Sequence, residues 1–124
     1  RVTLDERRTP GGCPNEWTLR RTWTATDACG NVSTAAQVVS VVDTTPPVLV
    51  APAELVVECP APATGPSSES AWLASASAYD TCGPATVERR ELLRELGCGG
   101  AYRAVFEFWA VDACGLESPR VQRE

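Results

Sequence analysis

Between positions 17 and 26 the side chains alternate. Trp17, Leu19, Trp23 and Ala25 fall on one side, and Thr18, Thr22, Thr24 and Thr26 on the other. A period of two with aromatic and β-branched enrichment is the pattern of a half-buried strand. Arg21 interrupts the apolar side, where its aliphatic stem can lie on a core edge with the head in water. The same alternation returns in Tyr102, Ala104, Phe106, Phe108 and Ala110. Trp17, Trp23, Tyr102, Phe106 and Phe108 are therefore expected in the core, with Thr18, Thr22 and Thr24 exposed. Further strands are expected at residues 1–9, 35–42, 48–50, 53–58, 76–79 and from 116 onward. Residues 70–78 have enough alanine for a turn or two of helix around Trp72 and Leu73. Residues 86–96 are helical by propensity alone. Their equivalence to residues 1–9, shown next, argues for a strand in their first part only.

The chain contains a repeat. Asp27-Ala28-Cys29-Gly30-Asn31 follows the first alternating strand, and Asp112-Ala113-Cys114-Gly115-Leu116 follows the second, 85 positions later. The same offset relates Val2 to Val87, Gly12-Cys13 to Gly97-Cys98, Ser33 to Ser118 and Gln37 to Gln122. A fixed offset over this length means tandem modules. Asp43-Thr44-Thr45-Pro46-Pro47 is a short, stiff stop for a ladder, since proline cannot donate to one. The boundary is placed there: residues 1–45 read as the C-terminal half of one module, residues 46–124 as a second, nearly complete one. The expectation is a piece of a longer array. Successive strands separated by turn residues, with almost no helix, indicate all-β sandwich modules.

Composition narrows the function. Among 124 residues there are six cysteines, no histidine and a net charge of −5, and every basic residue is arginine. An acidic chain with scattered arginine argues against a nucleic-acid surface, and no apolar run is long enough for a membrane span. The cysteines are widely spaced and lack histidine partners, which fits disulfides and an extracellular compartment better than zinc. Without histidine, a Gly-x-Ser-x-Gly elbow or an activated cysteine, no catalytic residues are assigned and the chain reads as a non-enzyme. Glu88, Glu91 and Glu95 with Arg89, Arg90 and Arg94 read as a solvated charged edge that resists strand-to-strand aggregation.

The segments Asp43-Thr44-Thr45-Pro46-Pro47-Val48-Leu49, Leu55-Val56-Val57-Glu58-Cys59-Pro60 and Thr24-Ala25-Thr26-Asp27-Ala28-Cys29-Gly30-Asn31 together resemble the hyalin-repeat (HYR-like) family. The resemblance implies tandem immunoglobulin-like β-sandwich modules in secreted and bacterial surface proteins. It implies an adhesive or spacer role, with neighbouring modules and a surface ligand as partners. Leu116 departs from the pattern in place of asparagine, and residues 67–73 look like an insertion.

Strand directions give a disulfide expectation. If 53–58 runs up to Cys59, 76–79 down to Cys82, 86 onward up to Cys98 and the core strand down to Cys114, then Cys59 pairs with Cys98 and Cys82 with Cys114. A Cys98–Cys114 bridge is disfavoured because the strand between them spans about 35 Å, whereas bridged Cα atoms lie about 4.4–6.8 Å apart. Cys13 and Cys29 would pair outside this stretch. The same topology gathers Asp43, Asp80 and Asp112 at one end of the second module, where carboxylates could hold calcium through some of its ~6–8 oxygen ligands. The plainer reading is that each Asp before a turn caps its own backbone amides. Besides a structural or adhesive repeat, a calcium-stiffened module and a filament subunit assembled by strand exchange remain as alternatives.

Overall fold

A computed structural model of the chain describes residues 1–59, 61–62 and 64–124. Pro60, the last residue of one segment that carries the family resemblance, and Ala63 lie outside the described residues. The protein is all-β with antiparallel sheets. It divides into two compact units, Arg1–Thr44 and Thr45–Glu124.

The first unit is a single three-stranded sheet in the order β1-β2-β3, formed by Val2–Pro10, Trp17–Thr26 and Val32–Val41. The alternating strand β2 is central and paired along both edges, from Val2↔Ala25 to Pro10↔Trp17 and from Trp17↔Val41 to Thr26↔Val32. Trp17 and Trp23 are half-buried, not deeply buried as expected, and Thr18, Thr22 and Thr24 are half-buried, not exposed. The reason lies in the layer count. This unit has one sheet, so no second sheet of the unit covers either face of β2, and side chains of the neighbouring strands supply part of the cover. Arg8 of β1, for instance, lays its guanidinium 4.0 Å from the Trp17 ring.

Among its described residues the second unit has two small sheets, one α-helix and a short 3-10 turn at Cys98–Gly100. Val48–Val50 (β4) pairs with Ser77–Tyr79 (β5), and Ala85–Leu96 (β6), Tyr102–Asp112 (β7) and Val121–Arg123 (β8) form the order β6-β7-β8. All of residues 85–96 is strand, so pairing with β7 overrides the helical propensity of the Glu-Leu-Leu-Arg-Glu-Leu run. The helix α1, Glu69–Ala74, occupies the expected place around Trp72. Ser68 begins it, its hydroxyl accepting from the Ala71 amide at 3.2 Å, which satisfies one of the donors left open at a helix start.

Here the apolar side of the alternation is sealed. Phe106, Phe108 and Ala110 are buried, and Phe108 has no exposed surface. Trp72 meets both phenylalanines edge-on, with ring centroids 5.8 Å apart in each case. Its indole N–H is satisfied by the Ala53 carbonyl, the partner a buried tryptophan requires. Leu49, Leu55, Leu73 and Val87 pack around this cluster. On the other face of β7 the carboxylate of Glu107 is buried but paired, 2.8 Å from Arg90 and 3.2 Å from Arg120.

Two expectations are corrected here. Residues 51–58 form no strand; their Leu55 N–H bonds to the Glu124 carbonyl at 3.0 Å, the one backbone bond seen for this stretch among the described residues. Tyr102, expected in the core, is 39% exposed. It lies at the start of β7, beyond the reach of β8, which pairs only with Phe106, Glu107 and Phe108.

The repeat offset is visible in the pairing. Val2↔Ala25 and Glu6↔Arg21 correspond to Val87↔Ala110 and Glu91↔Phe106. After Glu91 the register shifts, with Leu93 opposite Val105, so Leu92 is an extra, bulged residue. A second slip follows Pro119. The Val111↔Glu117 bridge keeps the offset, while Phe108↔Val121 is displaced by one residue relative to Trp23↔Ala35. Proline has no N–H for the ladder and forces the change.

Candidate functional site

The Asp-Ala-Cys-Gly turns are the best-defined local structures that the sequence singled out. In the first, Asp27 Oδ1 accepts from the Cys29 and Asn31 amides, each at 2.9 Å. The Asp27 amide donates to the Asn31 carbonyl at 3.0 Å, and Gly30 donates to Asp27 O at 3.2 Å. In the second, Asp112 Oδ1 accepts from Cys114 at 2.8 Å and Leu116 at 2.9 Å. Asp112 N donates to Leu116 O and Gly115 N to Asp112 O, both at 3.1 Å. Gly30 and Gly115 share a φ of 82°, a conformation that costs a non-glycine residue energy. The repeat is therefore a repeat of conformation as well as of letters.

The third turn is weaker for a chemical reason. Asp80 Oδ1 accepts from Cys82 at 3.1 Å, but the residue four positions after Asp80 is Pro84, which has no N–H to give. The outer carboxylate oxygens differ too. Asn31 Nδ2 donates to Asp27 Oδ2 at 2.8 Å, and this bond leads the effects that hold the Asp27 carboxyl below its ordinary value of 3.8. Leu116 has no such donor, and the buried Oδ2 of Asp112 has no hydrogen-bond partner; nor does that of Asp80. Asp43, in the first unit, is buried and takes a hydrogen bond from Asn15 Nδ2 at 3.4 Å. Asp80 and Asp112 thus cap their own turns, and that role accounts for one oxygen of each.

The cysteines depart from expectation. Cys59, Cys82 and Cys98 are free and exposed, so neither Cys59–Cys98 nor Cys82–Cys114 is formed, while Cys13 and Cys114 are disulfide-bonded. Cys29 is free and exposed, and Cys13, expected to pair outside this stretch, is disulfide-bonded. The pairing argument needed a strand to deliver Cys59, and residues 51–58 supply none. Cys82 sits in a turn tethered by its own amide to Asp80, which fixes its backbone independently of the β7 end.

A second feature lies in the second unit and was missed in the sequence. A cavity of about 240 Å³ is lined by Leu55, Val57, Trp72, Tyr102, Ala104 and Phe106, among others. At its edge Arg94 bonds Glu69 and Glu91, each at 2.8 Å, and Tyr102 donates to Glu69 at 2.6 Å. Arg94 holds the carboxyls of both Glu69 and Glu91 below their ordinary range. The Glu69 carboxylate pushes the Tyr102 phenol up. Arg94 and Glu91 read correctly as charged edge residues, but Glu69 belongs to a segment that looked like an insertion, so nothing in the pattern linked it to them.

No protein-family model matches the chain, and no curated protein matches it. Among the described residues no helix is long and apolar enough to cross a membrane.

Proposed function

We propose that the chain is a non-catalytic stretch of tandem, immunoglobulin-like modules of the hyalin-repeat kind, giving reach, stiffness or adhesion within a longer extracellular or cell-surface protein. One observation carries the reading: the Asp-Ala-Cys-Gly turn and the strand register leading into it recur with the same hydrogen bonds at a fixed offset. Repeated units that each close their own backbone bonds suit an array built for length. The disulfide-bonded Cys13 and Cys114 favour an oxidising compartment. The absence of histidine from the sequence and the pairing of Glu69, Glu91 and Glu107 with arginines support a structural use of the charged side chains. Its partners on this reading are neighbouring modules and a surface ligand.

The test is mechanical. The full chain, tethered at its ends and pulled under reducing conditions, should give discrete rupture events. The second unit, Thr45–Glu124, should release on the order of 280 Å of contour length, at about 3.5 Å per residue. Smooth extension without a rupture peak would count against a load-bearing role.

The unpartnered Oδ2 atoms of Asp80 and Asp112 favour a second reading, a module stiffened by calcium. It predicts a calcium-dependent rise in Tm that Asp112→Asn reduces. A calcium titration that leaves Tm unchanged removes it.

A further inference from the structure

Asn31-Val32-Ser33 is an Asn-x-Ser triplet whose middle residue is not proline, the pattern that accepts N-linked sugar in secreted chains. The other asparagine, Asn15, is followed by Glu16 and Trp17 and starts no such triplet. A triplet is short, so its surroundings decide what it can do. All three residues are exposed, Val32 at 62%. Asn31 lies between β2 and β3, outside a ladder whose last pair there is Thr26↔Val32, so a bulky substituent on it displaces no strand. Its backbone is fixed by the turn: the amide donates to Asp27 Oδ1 at 2.9 Å and the carbonyl accepts from the Asp27 amide at 3.0 Å. Its Nδ2 donates to Asp27 Oδ2 at 2.8 Å. A carboxamide nitrogen carries two donors, so a singly substituted Nδ2 keeps one for that carboxylate.

The second turn shows that the fold does not demand this triplet. Leu116-Glu117-Ser118 stands at the same offset. There Ser118 is 6% exposed, and its hydroxyl accepts from the Ala110 amide at 2.9 Å and donates to the Pro119 carbonyl at 3.0 Å. Ser33, opposite Ala25 in the ladder, is exposed instead. An open hydroxyl two residues after an open carboxamide is thus a feature of the first turn and not of the second.

We propose that Asn31 is the acceptor of an N-linked glycan. The donor is a lipid-linked oligosaccharyl diphosphate. The bond from the anomeric carbon of the sugar to the diphosphate oxygen breaks, a bond from that carbon to Nδ2 forms, Nδ2 gives up one proton, and the lipid diphosphate leaves. The Ser33 hydroxyl completes the pattern that the transferring enzyme reads. The glycan adds a bulky, solubilising group at the start of β3, an outer strand of its sheet, next to exposed Val32. An outer strand with exposed valine is the kind of edge that invites pairing between chains. The proposal rests on the extracellular reading, since this transfer acts on chains that enter a secretory route.

The test takes the native polypeptide from the medium or surface of its source cells and treats it with peptide-N-glycosidase in heavy-oxygen water. Position 31 should become a labelled aspartate, Asn15 should stay unlabelled, and the apparent mass should fall. An unlabelled Asn31 in polypeptide recovered from the medium or surface overturns the proposal and leaves the extracellular reading standing. Recovery from the cytosol alone overturns both. A second arm directs the full chain into the secretory pathway of cultured eukaryotic cells. Ser33→Ala, at an exposed position, should abolish the glycosidase-sensitive mass shift, and Ser33→Thr should retain it. A shift that survives Ser33→Ala also overturns the proposal.

Discussion

Leu116→Asn should stabilise the protein, and the first unit shows why. At the same place in the first turn, Asn31 Nδ2 lies 2.8 Å from Asp27 Oδ2. The two turns share their backbone bonds and the glycine φ of 82°, so an asparagine at 116 would present its amide to Asp112 Oδ2. That oxygen is buried and unpartnered, on a residue 6% exposed. A hydrogen bond to a charged group contributes about 1.5–3 kcal/mol. Removing the half-buried Leu116 side chain costs roughly 1 kcal/mol, part of the ~1.5–3 kcal/mol for a fully buried one. The net expectation is a gain of about 0.5–2 kcal/mol, read as a higher urea midpoint at unchanged m-value. A double-mutant cycle with Asp112→Ala isolates the pair. Without the carboxylate, Leu116→Asn should only destabilise. An equal gain in the Asp112→Ala background, or a loss in the parent, would refute the reasoning. The same melts in calcium are informative, since an ion on Oδ2 would compete with the new amide and shrink the gain.

Other predictions follow from the core, the charges and the thiols. Phe108→Ala removes the fully buried ring that Trp72 packs against and should cost about 3–5 kcal/mol; a parent-like melt would show the face of β7 to be misassigned. Glu69 and Glu91 have carboxyls lowered first by their hydrogen bonds to Arg94. Their contribution should be fully present above the ordinary value of 4.5 and lost as pH falls through the depressed values in the folded state. Arg94→Ala should flatten that part of the stability–pH curve, and an unchanged curve would deny the link. Alkylation of the unreduced, native protein should modify Cys29, Cys59, Cys82 and Cys98 and spare Cys13 and Cys114, which a peptide map by mass spectrometry reads directly.

The strands were legible wherever a period of two ran long enough, as in β2 and β7. The 85-residue offset was legible too, and it rescued the first part of β6, though not the rest, from its helical propensity. What the pattern lacked was information about partners. Residues 53–58 carry strand-like residues, but among the described residues their one backbone–backbone bond runs from Leu55 N–H to the Glu124 carbonyl, and a strand needs a ladder. Tyr102 alternates in step with Phe106 and Phe108, but burial depends on how far β8 extends, which the alternation of β7 does not encode. The bulge at Leu92 was invisible because an extra residue leaves the surrounding letters intact. The Cys59–Cys98 expectation failed with the strand it was built on, whereas Cys82–Cys114 failed although β5 and β7 both formed. The turns were the most readable part, since an Asp accepting from amides two and four residues on is a local matter of sequence. Even the weakness of the third turn was written in Pro84.

The most direct test of the central claim is the mass and location of the native polypeptide. An antibody raised against this chain, used on fractionated source cells and their medium, should detect a band several times larger than the 13.2 kDa of these residues. That band should lie in the secreted or surface fraction and be accessible to protease added to intact cells. A band near 13.2 kDa confined to the cytosolic fraction would contradict the account of an extracellular repeat array.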